Sequence, residues 1–181
     1  MTGPVPIIRA DGDGEHLRFW GGGILTMKVT AAETDGAFML FEDYMPRGKN
    51  TPLHLHANED ETLYVLEGEI VVHIDGTDHS LGPRGIAVAP RGVAHAFLVT
   101  SETARVLCLQ TPGSAEQFYR GASEPADADA DPHGPVDFDK VRESAERTGG
   151  MQLLGPPPFQ TSGVASGDPN SAVGGSAGLR R

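Results

Sequence analysis

An all-β fold, an antiparallel sandwich or barrel, is what the stretch from about Glu15 to Thr111 predicts. Three observations carry this. The apolar runs are short, each is closed by glycine, proline or Asp-Gly, and none has helical periodicity long enough to compete. In chain order the runs are Gly23–Thr30, Ala37–Phe41, Thr62–Leu66, Ile70–Ile74, Ile86–Ala89, Ala94–Thr100 and Ala104–Gln110. Glu67-Gly68 separates the third from the fourth, and Asp75-Gly76 follows the fourth, both with the residues that hairpin turns favour.

Beyond Thr111 the character changes. Ser114 is placed to cap a short helix carrying Phe118 and Tyr119, with Gln117 as the reciprocal residue of a capping box. A second amphipathic helix is predicted from Pro135 to Arg147, with Phe138, Val141 and Ala145 on one side and Gly149-Gly150 as its stop. Met151–Gly155, followed by three prolines, reads as a strap laid against the domain. The remaining tail is Ser, Gly, Ala, Asn and Asp with almost no apolar anchor, a composition that predicts disorder. The expected organisation is a β-barrel with N-terminal strands over 1–113, a helical extension and proline strap over 114–160, and a disordered tail over 161–181.

The 181 residues hold 14 basic against 25 acidic side chains, a formal charge of −11. Six of the acids and a single lysine fall within residues 124–140, so much of that charge describes a linker. An acidic chain argues against a nucleic-acid backbone or an anionic membrane as partner, since both need clustered Lys and Arg. The single cysteine, Cys108, excludes an internal disulfide and a multi-cysteine zinc site, and reads as a small hydrophobe in the last strand. No basic region followed by an apolar run opens the chain, and no apolar stretch approaches the roughly 20 residues of a membrane span. A soluble, cytoplasmic protein is expected.

The chemistry concentrates in Gly48–Glu61. Side chains two apart on a strand share a face, so His54 and His56 point one way and Leu53 and Leu55 the other. A short turn, Ala57 to Asp60, returns the chain with Glu61 opening the next strand, and a later strand offers His95 inside an apolar run. Three imidazoles and a carboxylate on one inner face form a mixed nitrogen–oxygen set suited to a first-row divalent ion, with positions left open for substrate or dioxygen. Without an ion, gathering four ionisable groups there would be costly. His73 reads as an outward polar residue, His16, His79 and His133 as solvated, and Glu59 and Asp60 as turn residues.

These residues resemble the cupin superfamily. Gly48, His54, His56, Glu61 and Gly68 fit its first motif, G-x5-H-x-H-x4-E-x6-G, and Pro90, Gly92 and His95 fit the second. The second motif departs at Arg84-Gly85, where Gly and Asp are common, and at Val99, which stands for a terminal Asn. Glu59–Gly68, Thr111-Pro-Gly113 and Gly155–Pro158 are similar to single-domain bacterial cupins grouped with quercetin 2,3-dioxygenase. The resemblance implies a jelly-roll β-barrel holding one divalent transition metal (Fe, Ni, Co, Mn or Zn) through His54, His56, Glu61 and His95.

It further implies a metal-dependent dioxygenase for a small enolisable aromatic substrate, with Glu61 as ligand and, when it swings off, as base. A non-oxidative isomerase, cyclase or lyase, and a non-catalytic binding cupin, are the alternatives, because the scaffold does not fix the chemistry. Leu63 and Val65 share the face of Glu61, and Phe97 that of His95; with Met39 and Phe41 they are the expected walls of an apolar substrate pocket. A homodimer is expected, both from the resemblance and because Phe19, Trp20 and Ile24 offer apolar surface that one small barrel need not bury.

Overall fold

The computed structural model describes residues 5–159, and these form two antiparallel sheets that face each other across one core. The disordered tail expected over 161–181 lies outside the described residues. The strands are β1 (Glu15–Phe19), β2 (Ile24–Val29), β3 (Met39–Pro46), β4 (Leu53–His56), β5 (Asp60–Glu67), β6 (Ile70–Ile74), β7 (Thr77–Leu81), β8 (Ile86–Ala89), β9 (His95–Val99), β10 (Thr103–Thr111), β11 (Ser123–Pro125) and β12 (Met151–Gly155). Of two helices, α1 (Glu116–Gly121) lies between β10 and β11, and α2 (Phe138–Thr148) between β11 and β12. The larger sheet runs β11-β1-β2-β3-β10-β5-β8 and the smaller β12-β4-β9-β6-β7. This is the all-β jelly-roll architecture expected from the sequence.

All seven apolar runs form strands, and their inward residues build the core: Leu25, Met27, Met39, Val65, Val72 and Val106 are almost wholly buried. Asp75 and Gly76 both adopt positive φ (48° and 77°), the two-residue turn whose twist suits a hairpin between β6 and β7. Gly68 is needed for a second reason. A Cβ there would stand 2.2 Å from the Thr103 carbonyl oxygen. At the departure from the second motif, Arg84 itself takes the left-handed conformation (φ 71°) that glycine more easily supplies.

The C-terminal extension completes the barrel. β11 pairs with β1, and the strap, as β12, pairs with β4. Phe118 and Tyr119 of α1 pack on Phe19 at 6.2 and 6.0 Å between ring centroids. Lys140 lies over the Trp20 ring at 3.4 Å. Phe19 and Ile24 are therefore buried by their own chain, which removes the apolar surface on which a dimer was expected from these residues.

Two local expectations change. The carboxylate of Asp137 accepts from the backbone N–H groups of Asp139 and Lys140, so α2 starts at Phe138 rather than Pro135. Ser114 caps nothing: a 3-10 turn, Gly113–Ala115, precedes α1, and the serine hydroxyl donates to the buried carboxylate of Glu59 instead.

Candidate metal centre

Both sheets contribute to one cluster. β4 presents His54 and His56 inward, with Leu53 and Leu55 half-buried on the other face. β9 pairs with β4 so that His95 stands directly opposite His54. The three-residue link 57–59 crosses to the larger sheet, held by the Ala57 N–H donating to the Gly150 carbonyl at 2.8 Å, and β5 then delivers Glu61. One donor atom from each of His54, His56, Glu61 and His95 lies within 4.8 Å of the others, and all four residues are buried. The imidazole centroids are 4.4 Å (His54–His95), 5.3 Å (His54–His56) and 5.5 Å (His56–His95) apart.

Hydrogen bonds outside the cluster fix which atoms face into it. His54 Nδ1–H donates to the Pro52 carbonyl at 2.8 Å and His95 Nδ1–H to the Val93 carbonyl at 2.9 Å, which leaves both Nε2 atoms turned inward. His56 Nε2 is buried with no hydrogen-bond partner, 3.8 Å from Glu61 Oε2. His95 Nε2 is 2.7 Å from that same oxygen. Glu61 Oε1 accepts from Gln110 Nε2 (2.7 Å), Cys108 Sγ (3.2 Å) and the Tyr119 hydroxyl (3.3 Å).

The protonation states follow. Burial, reinforced by the neighbouring His95, pushes His54 down to about 3, and burial also lowers His56, so both keep a lone pair for a cation. For His95 burial is outweighed by the Glu61 hydrogen bond and charge, and its value rises. Burial alone would raise Glu61, yet the His95 hydrogen bond and the three histidines hold it well below the usual carboxylate range. Burial and then the charge of Glu61 push the Cys108 thiol and the Tyr119 phenol up, so both remain protonated donors.

Several functional positions escape a reading of the sequence. Glu59 is not an exposed turn residue: it is 1% exposed, and its Oε2 lies 4.0 Å from His56 Nδ1 without a partner. Cys108 is more than a small hydrophobe, since its thiol, with Gln110 and Tyr119, holds Glu61 in place. Asp60 does stay at the surface, bridging to Arg91, and His73 pairs outward with Asp78 at 2.6 Å.

The cluster opens into a cavity between the sheets. Phe41, Leu63 and Phe97 line it, together with Phe19, Phe118 and Tyr119. Met39 and Val65 do not: both are fully buried in the core. Alternation tells which face a side chain takes, but not how deeply it is covered. Phe138 of α2 and Leu153 of β12, both partly exposed, also contribute to the wall. Asp43 and Lys49, which the sequence does not single out, line the same space as a buried ion pair.

A two-sheet β-barrel that gathers an H-x-H pair, a glutamate and a third histidine on its inner wall is a cupin-like arrangement, and this chain carries a cupin domain. Residues 40–110 match the Cupin domain family. Over 148 residues the chain is 28% identical to quercetin 2,3-dioxygenase of Bacillus subtilis (strain 168), an alignment covering 80% of this chain and 43% of that protein. The chain thus spans less than half the length of this curated relative. Among solved structures, an RmlC-like cupin from Shewanella frigidimarina superposes with a TM-score of 0.52 at 19% identity, covering 60% of this chain and 92% of that one. A predicted oxalate decarboxylase from Thermotoga maritima gives a TM-score of 0.51 at 21% identity, over 59% and 99%. These two likenesses concern the fold alone.

Cupins of this kind hold metals, and the donor set fits one: the neutral imidazoles of His54 and His56, the latter with an orphaned buried Nε2, converge with His95 and a carboxylate oxygen of Glu61. Among the described residues no helix is long and apolar enough to cross a membrane.

Proposed function

We infer that His54, His56, Glu61 and His95 hold one divalent transition metal and that the chain is a dioxygenase of the quercetinase type, acting on a small enolisable aromatic substrate. The observation that carries the reading is the placement of this cluster in the wall of a cavity lined by Phe19, Phe41, Phe97, Phe118 and Tyr119. The kinship with a quercetin 2,3-dioxygenase agrees with it. A redox-active ion held there supplies Lewis acidity and one-electron chemistry. The chain's own part is to sort and orient. Aromatic walls accept a planar ring and exclude water. Gln110, Cys108 and Tyr119 fix Glu61 by Oε1, so that Oε2, on the side of the histidines, is the oxygen that would meet the metal and, when it swings off, take the substrate hydroxyl proton.

Dioxygen consumption with a flavonol, measured with iron, nickel, cobalt, manganese and zinc in turn, tests the reading. Uptake that depends on both metal and flavonol supports it. Turnover without dioxygen shifts the assignment to an isomerase, cyclase or lyase, and binding without turnover to a binding cupin.

The same reading includes a homodimer and a cytoplasmic location. Across the outer face of the larger sheet, Leu40, Leu109, Thr62 and Val88 form one cross-strand row, and Leu107, Tyr64 and Ile86 continue the next. Val88 and Ile86 are 50% and 56% exposed on the edge strand, so this face, rather than Phe19 and Ile24, offers the surface for a second copy. A sedimentation mass near 19 kDa at micromolar concentration would count against it.

A further inference from the structure

Asp43 and Lys49 have no part in the metal cluster, yet they line the cavity that it opens into. Their side chains are 9% and 2% exposed, and Lys49 Nζ donates to Asp43 Oδ2. The pair is incompletely satisfied. Asp43 Oδ1 is buried with no hydrogen-bond partner, and among the described residues the ammonium makes no second hydrogen bond. Nζ lies 5.3 Å from the Phe19 ring centroid and 5.8 Å from that of Phe97, so aromatic faces flank the cation. Space is kept at the pair by Gly23, where a Cβ would stand 2.8 Å from Asp43 Oδ1 and 3.2 Å from Lys49 Nζ.

A buried acceptor and a buried donor side by side, each with unused capacity, select for a group that can both give and accept a hydrogen bond. A carboxylate would suit Lys49 and be repelled by Asp43, and an ammonium the reverse. A neutral hydroxyl suits both, and the rings of Phe19 and Phe97 favour one carried on an aromatic ring. We propose that Asp43 and Lys49 form a second polar subsite of the cavity, which binds a phenolic hydroxyl of the substrate remote from the group at the metal cluster. This rests on the reading of an aromatic substrate, and it narrows that class to substrates with a free ring hydroxyl outside the reacting group.

The test uses small probes that require no turnover. Phenol, anisole and benzoate are titrated into the full-length protein at neutral pH, where phenol is uncharged, by calorimetry and by amide NMR shifts. Phenol should bind at least about tenfold more tightly than anisole, the size expected when a hydrogen bond to a charged group is lost. Benzoate should gain nothing over anisole, and the phenol-induced shifts should centre on Gly23, Lys49 and Phe97. The double variant Asp43→Leu/Lys49→Met replaces both charges with apolar groups and should erase the preference for phenol. Equal binding of phenol and anisole, a preference that survives in the double variant, shifts confined to His54 and Glu61, or no phenol binding each overturn the proposal. The comparison of probes in the unaltered protein decides even where the variant does not fold. Absence of flavonol-dependent oxygen uptake overturns only the dioxygenase reading, because phenol binding needs no dioxygen.

Discussion

Glu61 and Asp43 are two carboxylates on the wall of one cavity, and their surroundings differ in kind. Glu61 has partners on both oxygens: Gln110, Cys108 and Tyr119 on Oε1, and His95 on Oε2. Asp43 has Lys49 on one oxygen and nothing on the other. Burial pushes the Asp43 carboxyl up against the pull of Lys49, whereas the donors and histidines around Glu61 overcome burial and hold its carboxyl down. A fully gripped carboxylate is a fixed part of a site. One with an open oxygen is a place where a ligand group can complete the structure.

The largest effect that would sharpen this contrast is on stability. Lys49→Met leaves Asp43 buried without its cation and should destabilise the fold by about 3–5 kcal/mol. Asp43→Leu/Lys49→Met removes both charges and should lie within about 1 kcal/mol of the parent or above it. Urea unfolding of both variants checks this, and a single variant as stable as the double would show that the pair is not a buried ion pair in solution.

Next in size is the base role of Glu61. Glu61→Gln at full metal occupancy should lose at least about a hundredfold in turnover, because the amide cannot take a proton. A substrate already deprotonated at high pH should recover part of that loss. Metal-normalised rates within threefold of the parent, against a general-base range of about 10²–10⁴, would leave Glu61 a ligand only. Smaller still is the contribution of Glu59 behind His56. Glu59→Gln removes a negative charge 4.0 Å from His56 Nδ1 and should weaken metal affinity by at most about tenfold, the lower end for groups behind a ligating histidine. Competition with a chelator measures it, and Ser114→Ala should shift affinity in the same direction by less.

The metal cluster was legible because its information is local. A period of two puts His54 and His56 on one face, and a turn of a few residues is short enough to return Glu61 to them. Only the strand carrying His95 is distant in sequence, and the proline and glycine before it mark its start. Other parts depend on pairings that no spacing announces. Glu59 lies beside His56 in a three-residue link, but its serine partner is 55 positions away. Asp43 and Lys49 are six apart, one inside β3 and one beyond its end, and charged residues there read equally well as solvated. The polar edge strand β7 has no apolar alternation to betray it, since four of its five residues are exposed. Val65 shows the converse limit, sharing the face of Glu61 but lying below the cavity surface.

The smallest expected effect, and the one that probes the grip on Glu61 most directly, is the pH dependence of metal binding. In the metal-free protein His95 Nε2 lies 2.7 Å from Glu61 Oε2, and its value is raised above the ordinary 6.5 by that contact despite burial. A raised histidine keeps its proton to higher pH than a free one, and its contribution to stability is present below 6.5 and is lost as pH rises through the raised value. His54, lowered to about 3, and His56 are neutral there and have no proton to lose. An ion that takes Nε2 of His95 must displace one proton. Affinity should then rise by at most about tenfold per pH unit below the raised value of His95 and level off above it. Calorimetry in two buffers of different ionisation enthalpy should count a proton release per ion that approaches one below pH 6.5 and falls away as pH rises through the raised value. Glu61→Gln removes the charge that raises His95, so its release should fall toward zero at the same pH. A pH-independent affinity in the parent, with no proton released, would mean that the His95–Glu61 contact does not hold a proton and that Glu61 is gripped through Oε1 alone.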